Sequence, residues 1–82
     1  MEVVVTPNAL KQFSHLSIPD QKKIKKKLLM IVSDPWSGKK LTGEYSGLFS
    51  LRAWPYRIIY TINKKVKKIF VITIAHRQGV YK

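Results

Sequence analysis

The sequence predicts an α+β fold in which two helices pack on one face of a mostly antiparallel, four-stranded sheet. Three observations lead to this prediction. A β-branched segment opens the chain, two segments with apolar residues at helical spacing follow, and three strand-like segments with short connections come last. The resulting order, β-α-α-β-β-β, is typical of α+β domains. A chain of 82 residues is expected to form one domain, spanning residues 1–82.

The first strand and the first helix are predicted from the stretch EVVVTPNALKQFSHL. Residues 2–6 are mostly β-branched and suit a short strand. Thr6 can cap a helix that begins at Pro7, a position that tolerates the missing amide hydrogen of proline. The face expected to be buried consists of Ala9, Leu10, Phe13 and Leu16.

A second helix is predicted over residues 17–35. Ser17 and Asp20 have the spacing of a capping box, and Pro35 marks the end of the helix. The expected buried stripe consists of Ile24, Leu28, Ile31 and Val32. The remaining surface is rich in lysine, which is most simply a solvated face. It is also a candidate surface for RNA, with Lys22, Lys23 and Lys26 as the contacting residues.

Residues 36–47 contain three glycines and are predicted to form a loop. Lys39 and Lys40 in this loop are further candidates for RNA contacts. The remaining strands are expected at 48–53, 56–62 and 68–75, with turns at 54–55 and 63–65.

Sixteen lysine and arginine residues and four aspartate and glutamate residues give the chain a net charge of +12. A field of this sign attracts polyanions, and RNA or DNA is the usual polyanionic partner of a basic protein. Two other interpretations are open at this point: the lysines keep the protein soluble, or they meet an acidic protein. Charge alone does not separate the three.

Metal and cofactor chemistry is not expected. The chain has no cysteine, its two histidines are far apart in sequence, and its four carboxylates are scattered, so no metal site is predicted. No phosphate-binding glycine loop or dinucleotide fingerprint is present, and no small-molecule cofactor is expected. A nuclease with this sequence is therefore expected to work without metal.

The longest uncharged apolar run, IFVITIA at 69–75, is too short to cross a bilayer. The N-terminus lacks the basic start and the apolar stretch of a secretory signal. A cytoplasmic protein with no membrane partner is expected.

An arginine lies inside the most apolar strand, YRIIYTI. Because side chains alternate along a strand, one face of this strand consists of Tyr56, Ile58, Tyr60 and Ile62. That face is expected to meet the helices, so Arg57 points to the opposite side of the sheet. If Ala53 lies opposite Tyr56 in the preceding hairpin, Arg52 lies opposite Arg57.

The last strand is expected to add a third arginine to this side. A register that pairs Tyr60 with Phe70 places on the face of Arg57 the side chains of Thr73, Ala75 and Arg77. Opposed like charges repel, typically by a few tenths to ~1 kcal/mol. An anion would relieve this repulsion, and guanidinium groups grip phosphate through two-point contacts. The alternative is that the three arginines are simply solvated.

His76 and Tyr81 lie near the C-terminal end of the sequence. A histidine titrates near neutral pH and can act as a general acid or base, although a packed strand-end residue is the simpler interpretation of His76. Tyr81 can stack on a base, take part in proton transfer, or order the end of the chain.

Two stretches, KKLTGEYSGLFSLRAWPYRIIYTI and KIFVITIAHRQGVYK, resemble the RelE/ParE superfamily of toxins from type II toxin–antitoxin systems. The resemblance rests on Leu-x-Gly-x-x-x-Gly at 41–47, Leu-Arg at 51–52, Tyr-Arg-Ile-Ile-Tyr at 56–60 and His-Arg-x-x-Val-Tyr at 76–81. It covers nearly the whole chain, and the C-terminal half is the more specific part.

The resemblance implies a RelE-like α+β toxin that binds the ribosomal A site and cleaves mRNA there without metal. In such toxins the ribose 2′-hydroxyl attacks the adjacent phosphate and leaves a 2′,3′-cyclic phosphate. The matched positions imply that Arg57 and Arg77 stabilise the phosphate and that Tyr81 stacks on mRNA or assists proton transfer. Arg52 matches a position that is often basic.

The chain also departs from the RelE pattern. Some members carry acid–base lysines on the strand at 48–53, where this chain has Leu48 and Ser50, and some supply a glutamate from the preceding loop, which is SGKK here. His76 is the expected replacement for the general base.

Three functions follow from the resemblance. The leading one is a ribosome-dependent endoribonuclease whose partners are the ribosome and mRNA. The alternatives are a ParE-like inhibitor of DNA gyrase without nuclease activity and an inactive, RNA-binding relative. Each toxin function implies an acidic, RelB-like antitoxin, expected to be helical and to cover the arginine face or displace a helix.

Overall fold

The structure is a computed structural model that describes residues 1–76. Its helices and strands are β1 (Glu2–Val5), α1 (Pro7–Ser14), α2 (Ile18–Ser33), β2 (Lys39–Lys40), β3 (Phe49–Ala53), β4 (Tyr56–Asn63) and β5 (Lys68–His76). The predicted α+β class and the order of the helices and long strands are confirmed. The sheet has five strands instead of four, because two residues of the predicted loop pair with β3.

The strand order in the sheet is β1-β5-β4-β3-β2. β1 runs parallel to β5, and every other neighbouring pair is antiparallel, which confirms a mostly antiparallel sheet. The β3–β4 and β4–β5 connections are short hairpins, whereas the parallel pairing of β1 with β5 joins the two ends of the described chain. The sequence-distant strands β1 and β5 therefore lie side by side at one edge.

Each helix begins directly after its predicted capping residue, Thr6 for α1 and Ser17 for α2. The Thr6 hydroxyl accepts a hydrogen bond from the Ala9 amide at 3.4 Å, and the Ser17 hydroxyl accepts one from the Asp20 amide at 3.3 Å. α2 ends at Ser33, two residues earlier than predicted, because Pro35 starts a separate 3₁₀ turn over Pro35–Ser37.

The core lies between the helices and one face of the sheet. Its fully buried members include Ile24 and Ile31 from α2 and four sheet residues, Ile58, Tyr60, Ile69 and Val71. Two predicted core residues, Leu10 and Val32, are instead 56% and 42% exposed. Each follows a buried residue directly in its helix, so it lies about 100° round the axis and faces the edge of the buried arc.

No helix within residues 1–76 is long and apolar enough to span a membrane.

Candidate nucleic-acid interface

Arg52 of β3 pairs with Arg57 of β4, and Ala53 pairs with Tyr56, as the sequence predicted. Residues paired across antiparallel strands share a face. The opposite face carries Tyr56, Ile58, Tyr60 and Ile62, all of which contact the core cluster. The two arginines therefore lie on the side of the sheet that the helices do not cover, which we call the open face.

The predicted register between β4 and β5 is wrong by one residue at Tyr60, which pairs with Val71 instead of Phe70. The ladder is irregular at this point because Ile72 has no partner in β4. The extra residue is a bulge, and the hydroxyl of Thr6 and the side-chain amide of Asn8 both donate hydrogen bonds to its carbonyl.

The bulge preserves the predicted face of the last strand while shifting its register. Beyond it, Arg57 pairs with Ala75 and Ile59 with Thr73. Thr73 and Ala75 therefore lie on the open face, as predicted, although Arg57 sits two residues further along β5 than the assumed register implies. Arg77 and Tyr81 lie outside the described residues.

The short strand β2 brings a third cation to this face. Lys39 pairs with Ser50, which lies two residues before Arg52 in β3, so Lys39 lies on the open face. Lys40 pairs with Phe49 and lies on the helix side, so the structure does not bring it to the open face and it is not part of the site proposed below. The sequence predicts both lysines as equivalent loop residues, because a two-residue strand in a glycine-rich stretch shows no alternation of side chains.

The middle of the open face is buried. Ser50 and Ile59 pair with each other and are only 4% and 6% exposed, although both point away from the helices. The Ser50 hydroxyl oxygen has no hydrogen-bond partner. A buried serine in a strand has no distinctive sequence signal. Ser50 is therefore not among the residues that the sequence predicts for the site, and it stands out in the sequence only as a departure from the RelE pattern.

Most of the carboxylates are engaged away from the open face. Asp20 accepts a hydrogen bond from the Tyr56 hydroxyl at 3.1 Å, and Asp34 accepts one from the Trp36 amide at 3.2 Å. Glu2 forms an ion pair with Lys68 at 3.7 Å. Within residues 1–76 no carboxylate forms an ion pair with Arg52, whose guanidinium lies 6.0 Å from the centre of the Trp54 ring.

The structure does not bring His76 to the open face. His76 pairs with Tyr56, and their rings meet edge to face with centroids 5.6 Å apart. Its side chain therefore leaves the strand on the helix side, away from Arg57. The expected proton-transfer role of His76 stays a prediction, and it requires the imidazole to act round the end of the strand.

Tyr56 is not a base at neutral pH. Partial burial raises the pKa of the Tyr56 phenol, and its hydrogen bond to Asp20 raises this pKa further. The phenol stays protonated and holds the start of β4 against α2.

The lysines of α2 lie on the other side of the sheet from the arginines, because α2 packs on the core face through Ile24 and Ile31. Lys22, Lys23 and Lys26 are exposed there. The Lys23 ammonium donates a hydrogen bond to the Trp54 carbonyl at 2.9 Å and so ties α2 to the β3–β4 turn. The predicted RNA contacts thus fall on two separate surfaces.

Tyr60 fixes the segment that leads into β2. Its buried hydroxyl donates a hydrogen bond to the Pro35 carbonyl at 2.8 Å and accepts one from the Gly38 amide at 3.0 Å. A β-carbon on Gly38 would collide with that hydroxyl, so only glycine fits here without a shift. Burial raises the pKa of the Tyr60 phenol, although the hydrogen bond from Gly38 opposes this effect.

An apolar groove of about 190 Å³ lies on the helix side of the sheet. It is lined by Val5, Leu10, Phe13, Lys25, Leu28 and Ile74. The Lys25 ammonium lies 5.9 Å from the centre of the Phe13 ring, so a cation stands at the wall of an otherwise apolar groove.

No three histidine, aspartate or glutamate side chains cluster as metal ligands in the part of the chain that the structure describes.

The sequence matches the family described as the ParE toxin of the type II toxin–antitoxin system parDE over residues 3–81. Among curated proteins, none matches the chain significantly in sequence.

Several solved structures are similar to this one. The toxin–antitoxin complex RelBE2 from Mycobacterium tuberculosis matches with a TM-score of 0.84 and 24% identity, covering 93% of this chain and 96% of that chain. The archaeal RelE–RelB complex from Pyrococcus horikoshii matches with a TM-score of 0.79 and 23% identity, covering 98% and 97%. The isolated E. coli RelE toxin matches with a TM-score of 0.77 and 25% identity, covering 92% and 82%. These similarities establish a RelE-like fold.

Proposed function

Since the chain belongs to the ParE toxin family of type II toxin–antitoxin systems, we propose that this toxin is a ribosome-dependent endoribonuclease that cleaves mRNA without a metal ion. The observation that carries the proposal is the pair of arginines opposed on the open face. The RelE-like fold supports it, because the activity implied by that resemblance is mRNA cleavage in the ribosomal A site.

The proposed reaction is an internal transfer that consumes no co-reactant. The ribose 2′-oxygen forms a bond to the adjacent phosphorus while the bond from phosphorus to the 5′-oxygen breaks. The 2′-hydroxyl proton passes to a base, and the departing oxygen gains a proton. The products are a 2′,3′-cyclic phosphate and a 5′-hydroxyl.

The proposed role of the arginines in this step is to stabilise the negative charge on the phosphate. Negative charge builds on the non-bridging oxygens as the phosphorus becomes five-coordinate, and fixed cations aimed at those oxygens lower the barrier. Arg52 and Arg57 come from neighbouring strands and meet on one surface. Arg77 as a further cation and Tyr81 as a stacking or proton-transfer residue complete the proposed site, whereas His76 lies on the helix side.

The test is a purified translation reaction in which cleavage is followed by primer extension. We expect cuts that repeat with the codon spacing, and we expect Arg57→Ala to lower the cleavage rate by about 100- to 1000-fold, the cost of removing one transition-state donor. Lys65→Ala, in the exposed β4–β5 turn, is the matched control and should cleave normally. Intact mRNA with the wild-type toxin would refute the nuclease.

The family match supports a second candidate, inhibition of DNA gyrase. A gyrase inhibitor would block DNA supercoiling and leave mRNA intact, so the two functions give opposite results in paired assays. Binding of RNA without either effect would identify an inactive, RNA-binding relative.

We also propose an acidic antitoxin as the partner. The net charge of +12 favours an acidic chain, and the apolar groove with Lys25 in its wall suits an amphipathic helix that carries carboxylates beside its apolar side chains. The neighbouring structures that contain RelB support a partner of this kind. Capture of the product of the adjacent gene at moderate salt tests the proposal, and failure to bind it would contradict the toxin interpretation.

A further inference from the structure

Lys39, Ser50 and Arg52 form a compact group on the open face. Lys39 lies directly across from Ser50, a separation of about 5 Å between Cα atoms in an antiparallel pair. Arg52 lies two residues further along β3, about 7 Å away. Lys39 and Arg52 are therefore diagonal neighbours on one face, a spacing that long side chains bridge readily.

Arg57 extends this group into the next strand. It pairs with Arg52, while Ser50 pairs with Ile59 of the same strand. Three cations from β2, β3 and β4 thus border on two sides a buried floor formed by Ser50 and Ile59. Each cation approaches from a different strand, so they are not simply a run of lysines along one helix.

The Ser50 hydroxyl is an independent sign of a ligand. Its oxygen is buried and has no hydrogen-bond partner, whereas buried polar groups in folded proteins almost always have one. Leaving such a group unpaired is energetically unfavourable. A phosphate oxygen held between the neighbouring cations would accept the missing hydrogen bond.

We propose that Lys39 and Ser50 complete a phosphodiester-binding site with Arg52 and Arg57, in which Lys39 contributes the third positive charge and Ser50 donates a hydrogen bond to a phosphate oxygen. This inference rests on the proposed nuclease function for its catalytic consequence. The predicted effect on RNA binding does not depend on nuclease activity, because any RNA strand that binds to the open face presents the same phosphodiester.

Lys40 provides a matched control for this site. It is the next residue, has the same charge and exposure, and pairs with Phe49 on the helix side. Lys39→Ala and Lys40→Ala therefore change the net charge equally and differ only in the face from which the charge is removed. Lys39→Arg keeps the charge and should restore function.

Binding is measured with a short RNA that carries a deoxyribose at the cleavage position, so that it cannot be cut. For the wild type, the logarithm of affinity should fall linearly with the logarithm of salt concentration. Lys39→Ala should weaken binding and reduce that slope by about one unit, the loss of one phosphate contact. Lys40→Ala should stay within about twofold of wild type in affinity. Equal effects of the two variants, or no binding by the wild type, would overturn the inference.

Ser50→Ala tests the hydroxyl separately. Because the hydroxyl has no partner in the free protein, its removal should leave the thermal midpoint unchanged or higher while RNA affinity falls several-fold. A lower midpoint with unchanged affinity would assign Ser50 a structural role and would contradict the proposal.

A cleavage assay on ribosomes separates the proposed nuclease function from the proposed phosphodiester-binding site. If the wild type cuts mRNA, we expect Lys39→Ala to lower the rate at least tenfold and Lys40→Ala to leave it near wild type. If the wild type does not cut, the nuclease proposal fails, and the binding comparison still decides the role of Lys39.

Discussion

Arg52 and Arg57 lie directly opposite each other on β3 and β4, and both face the side of the sheet that the helices leave uncovered. Opposed like charges destabilise a strand pair. Asp20, Asp34 and Glu2 each have a partner elsewhere in the structure. An anion between the two guanidinium groups would make this arrangement more favourable.

A double-mutant cycle with Arg52→Gln, Arg57→Gln and the double variant should show this repulsion. We expect a coupling energy of a few tenths to about 1 kcal/mol that disfavours the wild-type pair. The cycle cancels each arginine's separate contacts, such as that of Arg52 with the Trp54 ring. Urea unfolding at low salt measures it, and 1 M NaCl should weaken it. An attractive coupling would mean that the guanidinium groups do not oppose each other.

His76→Ala should reduce mRNA cleavage much less than Arg57→Ala, because His76 leaves β5 on the helix side beside Tyr56. The measurement is the cleavage rate between pH 5.5 and 8.5. A loss as large as that of Arg57→Ala, together with a changed pH profile of cleavage, would instead establish His76 as the proton-transfer residue. His76→Phe, which keeps a ring beside Tyr56 but cannot transfer a proton, serves as the control for ring packing.

Tyr60→Phe should destabilise the protein by about 1–3 kcal/mol, because it leaves the Pro35 carbonyl and the Gly38 amide without their partner. Gly38→Ala should destabilise it by a similar amount through overpacking against the Tyr60 hydroxyl. The two effects should be strongly non-additive, since removing the hydroxyl makes room for the new methyl group. Thermal unfolding of the three variants measures this, and simple additivity would contradict the contact.

Stability should fall at alkaline pH through the buried phenol of Tyr60. Burial raises its pKa above the ordinary value of 10.0, so the folded state holds this proton more tightly than the unfolded state does. The contribution is present in full below about pH 10 and is lost as pH rises through the folded pKa. The unfolding midpoint, followed from pH 8 to 11.5, should fall less steeply in Tyr60→Phe. Parallel curves for the two proteins would argue against this assignment.

Leu10→Asp should weaken capture of the antitoxin and leave mRNA cleavage unchanged. Leu10 is 56% exposed in the wall of the apolar groove, so a carboxylate there would repel an acidic helix without unfolding the toxin. Leu29→Asp is the matched control, because Leu29 is 69% exposed on α2 but does not line the groove. If both variants bound the antitoxin equally well, the antitoxin would not occupy this groove.

The sequence predicted the elements that depend on local chemistry. The caps at Thr6 and Ser17, the prolines and the alternation in 56–62 each act within a few residues, so their effects could be read directly. The opposition of Arg52 and Arg57 followed from the same local rule, because a tight hairpin at 54–55 fixes the register of its two strands.

Other features depended on contacts between distant segments. The bulge at Ile72 lies where the side chains of Thr6 and Asn8 hydrogen-bond β5, and nothing near Ile72 in the sequence indicates this. The strand β2 forms because Tyr60 holds residues 35–38 against the core and delivers Lys39 to the edge of β3. Neither of these long-range contacts produces a periodic pattern of residues in the sequence.

By itself, the sequence determined that this chain is a basic α+β protein with two opposed arginines on an uncovered sheet face. Only the tertiary structure decided that Lys39 and the buried Ser50 join those arginines and that His76 does not. The physical reason is that alternation fixes which side of its own strand a residue occupies, whereas long-range hydrogen bonds and packing decide which strands meet and in what register.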